Sequence, residues 1–325
     1  MNNIEQAMAN DPNIFFHRQV LTHSLEGRRI EVLTITANDH HMKAGSVVHE
    51  KTIPNLFPEG GYRPPQFKNK KYFLLSCRIH PCEAPASFML HGFLLSLTNK
   101  SNPVTQALLY DFVFVIIPML NSDDVIRGHY RTDSKGRDLN RVYHKALADP
   151  SEYPGPYTFM KFGESIADGR LVMYLDLHAQ SNKDSGFVFG TFTPDTEARA
   201  EIRLFARMFD IYSKNFDYTR CGFGQPMDSE HPDPKKTGIG KIEVGKLCNI
   251  FHCYTLECGF TRRSKDPKRY TNNPDKDMKR KVYARIDFND FFEIRENLHH
   301  ALLETLAHHP CSIVLILGIR VQKVP

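Results

Sequence analysis

His80 and Glu83 stand three residues apart in RIHPCEAPASF. An imidazole and a carboxylate at that spacing can close on one cation, and nitrogen beside oxygen suits zinc. Taken alone, the pair is a weak signal and reads more readily as a surface histidine and a glutamate drawn to a helix start by its dipole. His178 would complete a set of two histidines and one glutamate, which leaves a tetrahedral zinc one open position and marks a catalytic rather than a structural site. Such a metal lowers the pKa of its water towards about 7, so a carboxylate outside the ligand set can act as general base. Glu257 is the candidate. Arg131 could stabilise a developing oxyanion, Asn140 with Arg141 could clamp a substrate carboxylate, and Asp138 could orient His80 from behind. Each residue has a plainer reading. His178 could be a satisfied core histidine, Glu257 a cap or a lysine's partner, Asp138 part of the Ser134-Lys135-Gly136 turn, and each arginine a solvated side chain.

The elements that must position these residues follow from the apolar runs. Residues 72–79 predict a buried strand that stops at His80-Pro81, since a residue before proline avoids the helical region. A core helix follows from Glu83 through Leu97, with Pro85 tolerated in its first turn. DFVFVII (111–117) and LVMYLDL (171–177) predict further buried strands, the second delivering His178 at its end. A short strand over 186–190, a helix from Glu197 to about Phe216, and a strand over 251–256 ending on Glu257 complete this part. Around Glu26-Gly27, two short strands are expected, followed by a long connection over 40–71. The stretch 118–143 reads as a polar loop at a strand's end, where α/β folds build ligand sites. Residues 222–246 read as a glycine-rich loop, 288–306 as a closing helix, and CSIVLILGIRV as an apolar tail. Strands alternating with helices give an α/β fold.

With 325 residues and a net charge of +5, the chain can bury a large core, and its basic residues are scattered rather than massed for nucleic acid. Seven cysteines without a C-x-x-C pair predict reduced thiols in the cytoplasm. The polar start is unlike a secretory signal, and no apolar run approaches the ~20 residues of a membrane-spanning helix. Walker, G-x-S-x-G and dinucleotide-binding motifs are absent.

Four segments, RIHPCEAPASFMLHGFL, IPMLNSDDVIRGHYRTDSKGRDLNR, YLDLHAQSNKDSGFVFG and CYTLECGF, together resemble the zinc metallocarboxypeptidases, specifically the cytosolic carboxypeptidases that trim glutamates from tubulin. GHYRTDSKGRDLNR is similar to the branch associated with branch-point glutamates. The resemblance implies a three-layer α/β/α fold with a mixed central sheet. By matching positions it makes His80, Glu83 and His178 ligands of one zinc per chain and Glu257 the proton-transfer residue. It assigns Arg131 to transition-state stabilisation and Asn140 with Arg141 to the substrate's terminal carboxylate.

The expected division is a strand-rich remnant of a β-sandwich over 1–45, a catalytic domain over 46–310 and the tail over 311–325. The expected function is hydrolysis of the bond to glutamate on acidic tails such as those of tubulin, in the cytoplasm or on microtubules, with no nucleic-acid or membrane partner. Lys183, Lys235, Lys236 and Lys241 are candidates for gripping an acidic side chain. The alternatives are a zinc deacylase of N-acyl amino acids and a tail-binding protein that has lost turnover. Departures from the family pattern bear on that last reading: Cys82 stands in place of glycine in H-P-G-E, Gln180 in place of histidine, and Asn121-Ser122-Asp123-Asp124 in place of N-P-D-G.

Overall fold

A computed structural model describes residues 2–38, 53, 55–67, 69–99, 101–181, 185–213, 215–224, 237–263, 283–285, 298–302, 305 and 306. Its centre is a seven-stranded sheet of β1 (Ile14–His23), β2 (Arg29–Ala37), β3 (Lys71–Cys77), β4 (Phe112–Ile117), β5 (Leu171–Gln180), β6 (Phe187–Gly190) and β7 (Cys253–Gly259), ordered β1-β2-β4-β3-β5-β7-β6. The inner strands β4, β3, β5 and β7 run parallel, while β2 and β6 flank them antiparallel. Burial on both faces explains why β3, β4 and β5 read as unbroken apolar runs. A separate pair, β8 (Thr261–Arg263) and β9 (Tyr283–Arg285), follows the sheet in sequence.

The helices are α1 (Asn2–Ala9), α2 (Ala84–Leu97), α3 (Pro103–Asp111), α4 (Ser122–Arg127), α5 (Tyr143–Ala146), α6 (Pro154–Ala167), α7 (Thr196–Tyr212) and α8 (Gly240–Cys248). One core joins α1, α2, α3 and α7 to a sheet face through residues such as Phe73, Phe93, Leu175 and Phe205. The second joins α5, α6 and α8 to the other face through Leu74, Phe159, Tyr174 and Val244. The protein is thus a three-layer α/β/α fold with a mixed sheet, as its sequence led us to expect.

Several local expectations differ. α3 and α6 were not anticipated: each opens on proline, at N1 or N2, which reads as a breaker but is tolerated in a first turn. α8 occupies part of the stretch read as a glycine-rich loop. Its glycines cost helix propensity but permit close packing, since a Cβ on Gly240 would meet the Tyr143 ring at 2.9 Å. α7 stops at Tyr212, and the polar stretch 118–143 contains α4 and a 3-10 turn at Leu139–Arg141. The N-terminal strands, set apart in sequence as a sandwich remnant, are hydrogen-bonded into the central sheet through β2 and β4, where Leu33 pairs with Ile116. Within the expected closing helix, the described residues 298–302, 305 and 306 are helical, with Leu298, Ala301, Leu302 and Leu306 buried. Residues 288–297, the tail from 311 onwards, Lys183, Lys235 and Lys236 lie outside the described residues.

Candidate active site

The candidate site forms where β3, β5 and β7 end, on the α5/α6/α8 face. Side chains alternate along a strand, so Tyr174, Asp176 and His178 of β5 share one face, and register places Ser76 beside Asp176 and Glu257 beside His178. After β3, Arg78 adopts a left-handed conformation with φ of 60°. Its guanidinium fastens the turn by donating to Ser87 Oγ at 2.9 Å and to the Pro81 carbonyl at 2.5 Å. The chain then enters α2 with Glu83 at its N-cap and Pro85 in the first turn. That turn swings His80 and Glu83 toward the end of β5.

His80, Glu83 and His178 are buried, and one donor atom of each lies within 4.8 Å of the others. Glu83 Oε1 is 2.7 Å from His80 Nδ1, Glu83 Oε2 is 2.9 Å from His178 Nδ1, and the two Nδ1 atoms are 3.1 Å apart. Both imidazoles therefore present Nδ1 inward, and each turns Nε2 to a carboxylate: His178 to Asp176 Oδ2 at 2.7 Å, His80 to Asp138 Oδ1 at 3.2 Å. Asp176 is itself anchored. Its Oδ1 accepts from Ser76 Oγ at 2.6 Å, and that hydroxyl contacts Tyr174 OH at 2.8 Å.

The electrostatics are those of a compact charged cluster. Burial disfavours the Glu83 carboxylate, but the two imidazoles outweigh it and hold the group well below the usual carboxylate range. Burial likewise opposes charge on His178, yet Asp176 and Glu83 raise it well above an ordinary histidine. Asp138 is depressed, against burial, by His80 together with Arg131 and Arg141. Glu257 behaves oppositely. Burial raises its pKa, and Oε2 has no hydrogen-bond partner among the described residues. A carboxylate oxygen buried without a partner is costly to keep, so half-buried Glu257 stands out beside a cluster whose other carboxylates are all partnered.

The set fits a zinc ion: two nitrogens and one carboxylate, all from buried residues, converge, with the outer imidazole nitrogens fixed by carboxylates. A family model described as zinc carboxypeptidase matches residues 1–215. The chain belongs to the zinc carboxypeptidase family. Among curated relatives it resembles cytosolic carboxypeptidase-like protein 5 of Ailuropoda melanoleuca, 29% identical with 76% of this chain and 37% of that protein covered. It also resembles cytosolic carboxypeptidase 6 of Caenorhabditis elegans, 31% identical with 76% of this chain and 47% of that protein covered. The chain thus spans less than half the length of these relatives. Its fold matches a metallo-carboxypeptidase from Burkholderia cenocepacia with a TM-score of 0.67 at 18% identity, covering 94% of this chain and 68% of that one.

The remaining candidates gather along the 131–141 segment and α8. Arg131 Nε donates to Asp138 Oδ2 at 2.9 Å and keeps a half-exposed side chain. Asn140 is buried, and its Oδ1 accepts from the Gly240 amide at 2.9 Å, at the start of α8. Arg141 Nη1 donates to the Asn140 carbonyl at 2.8 Å. Gly238, with φ of 71°, lies so close that a Cβ there would meet the Arg141 carbonyl oxygen at 2.4 Å. Lys241 is buried, and its ammonium donates to the carbonyls of Phe189 at 2.8 Å and Gly190 at 3.2 Å.

Two expectations are refined by the strands. β5 continues past His178 to Gln180, and Glu257 lies inside β7 rather than at its end. Cys82 stands at the turn beside Glu83, and burial followed by the Glu83 charge raises its pKa, so it stays a thiol near neutrality. Asp176 was missed in sequence. Its signal was there: a lone carboxylate in LVMYLDL, two residues before His178 and on the same strand face.

Proposed function

We propose that this zinc carboxypeptidase family member hydrolyses the bond to a glutamate at the end of, or branching from, acidic protein tails, with tubulin tails the leading candidate, and works in the cytoplasm. The observation that carries the reading is the convergence of His80, Glu83 and His178 with Glu257 in register beside them. The names of the curated relatives support carboxypeptidase chemistry in the cytosol. The six cysteines among the described residues are all free, as reduced thiols would be. No described helix is long and apolar enough to cross a membrane.

In this reading His80 and His178, each through Nδ1, and Glu83 hold the ion. Bound there, zinc supplies a Lewis acid that polarises a carbonyl and acidifies water. Glu257 takes a proton from the attacking water and passes it to the leaving nitrogen. Arg131 donates to the oxyanion that develops on the carbonyl, leaving its contact with Asp138. Asn140 and Arg141 receive the substrate's terminal carboxylate, and Lys241 meets an acidic side chain. Incubation with zinc and a glutamate-terminated peptide, followed by mass spectrometry, tests this. Released glutamate is the expected product, and tight binding without release would favour a tail-binding protein instead.

Asp176 positions His178 by fixing its Nε2 proton and aiming Nδ1 inward. Asp176→Asn is expected to weaken zinc affinity about 10–100-fold. Competition with a chelator of known affinity measures this without recourse to turnover, and unchanged affinity would contradict the role.

Lys241 yields a pH dependence. Burial lowers its pKa to about 7, so the ammonium is charged below that point and loses its charge as pH rises through it. The preference for a terminal glutamate over glutamine, measured as a ratio of kcat/KM, should therefore be greatest near about pH 6 and decline above about pH 7. Lys241→Met should flatten the profile. A ratio that ignores both pH and the substitution would remove Lys241 from substrate selection.

A further inference from the structure

Helix α7 carries Arg199, Arg203 and Arg207 at intervals of four, which aligns them along the helix in steps of about 6 Å. Each guanidinium lies over a ring from outside the helix: Arg199 over Phe192 at 5.7 Å, Arg203 over Phe223 at 5.8 Å and Arg207 over Tyr218 at 3.9 Å. Three such contacts at a constant interval of four residues along one helix form an ordered row. Neutralisation is thin. Arg199 donates to Thr196 Oγ1 at 3.0 Å, Arg207 approaches Asp210 only to 3.9 Å, and Arg203 forms no ion pair among the described residues. Glu197 and Glu201 occupy the opposite flank of the helix, where Glu201 lies 3.4 Å from His252.

α7 packs on the sheet face opposite the site, beyond the edge strand β6, and the row is ordered relative to the site along the strand direction. β6 pairs Phe187 with Glu257 and Gly190 with Tyr254, so it leads away from the Glu257 end of the sheet. The segment after α7 runs alongside β6, bridging Phe216 to Gly186 and Gly222 to Phe189. Tyr218 consequently lies toward the Glu257 end, and Phe223 and Phe192 lie farther from it. From the site outward the order is Arg207, Arg203, Arg199.

We propose that this row is a docking track for an extended acidic segment of a protein substrate, which enters at Arg199 and runs past Arg207 toward the site. An extended chain presents alternate side chains on one side every ~6.5–7 Å, close to the arginine spacing, so every second glutamate of an acidic tail can meet one arginine. The rings restrict the guanidiniums beforehand, which lowers the ordering cost of binding. They also argue against a nucleic-acid track, because ring faces covered by arginine are closed to base stacking. The direction of the bound chain rests on the carboxypeptidase reading, whereas the acidic ligand does not.

The test is fluorescence anisotropy with a labelled glutamate-rich dodecapeptide bearing a free C-terminus, bound to the full chain carrying Glu257→Gln so that nothing is cleaved. Adding Arg199→Ala, Arg203→Ala and Arg207→Ala together is expected to weaken binding about tenfold, three exposed ion pairs acting in concert. The difference should vanish near about 1 M salt. Arg203→Glu alone, at an exposed position, should also weaken binding and guards against misfolding of the triple variant. Unchanged affinity in both variants overturns the proposal, as does an arginine-dependent preference for a single-stranded oligonucleotide over the peptide. Arginine-dependent peptide binding without glutamate release by the unsubstituted chain would instead fail the carboxypeptidase reading and leave the track standing.

Discussion

Glu257→Gln is expected to reduce kcat by about 10²–10⁴-fold while zinc content and fold are preserved. The substitution keeps the shape of the side chain and removes only its ability to exchange a proton. Glu257 suits that exchange because burial raises its pKa, which makes the carboxylate a better proton acceptor. The same burial predicts a stability signature. Glu257 Oε2 is buried with no partner among the described residues, so its charge opposes folding, and the neutral amide should leave the melting temperature unchanged or raise it. Single-turnover kinetics with calorimetry on the two proteins would check both halves. A variant that is nearly as active as the parent would exclude Glu257 from proton transfer, and one that unfolds would point to a structural role.

His178→Ala is expected to lower bound zinc from about one per chain to near zero and to abolish hydrolysis with it. It differs from Glu257→Gln in removing a ligand rather than a proton carrier, so added zinc should restore nothing. It should also destabilise the protein. Asp176 is 1% exposed, and deleting the imidazole leaves Ser76 as its one side-chain donor among the described residues. Breaking a buried charged pair from one side typically costs about 3–5 kcal/mol. The metal-free parent, which retains the His178–Asp176 contact, is expected to melt above the metal-free variant. Zinc quantitation by mass spectrometry beside thermal melts of both metal-free proteins would read the two effects separately, and a variant that keeps its zinc would remove His178 from the ligand set.

The legible parts of the sequence were those in which local pattern and chemistry coincide. Runs such as DFVFVII and LVMYLDL can only be buried strands in a chain of this kind, and His80, Glu83 and His178 sit at breaks in such runs. The three meet because parallel strands deliver their ends to one edge, a rule of α/β architecture. Asp176 left a local trace as a lone carboxylate on the strand face of His178, but its anchoring depends on register, since Ser76 on β3 and Glu257 on β7 flank the β5 face in space while lying far away in sequence. α8 was hidden by its glycines, which local propensity counts against a helix although contact with Tyr143 and Cys253 requires them. The N-terminal strands read correctly as strands, but nothing local in LTIT says which sheet accepts its edge. The arginine row went unread because spacing alone does not distinguish it from a solvated helix face, and its rings come from three separate positions, Phe192, Tyr218 and Phe223.

The central claim is that His80, Glu83 and His178 hold one zinc beside Glu257. The most direct measurement is anomalous diffraction at the zinc edge from crystals of the purified chain. The account predicts a single strong peak between the two Nδ1 atoms and the Glu83 carboxylate, with Glu257 facing the open coordination position. Zinc bound at a different set of side chains, or zinc-saturated crystals with no peak at these three, would contradict it.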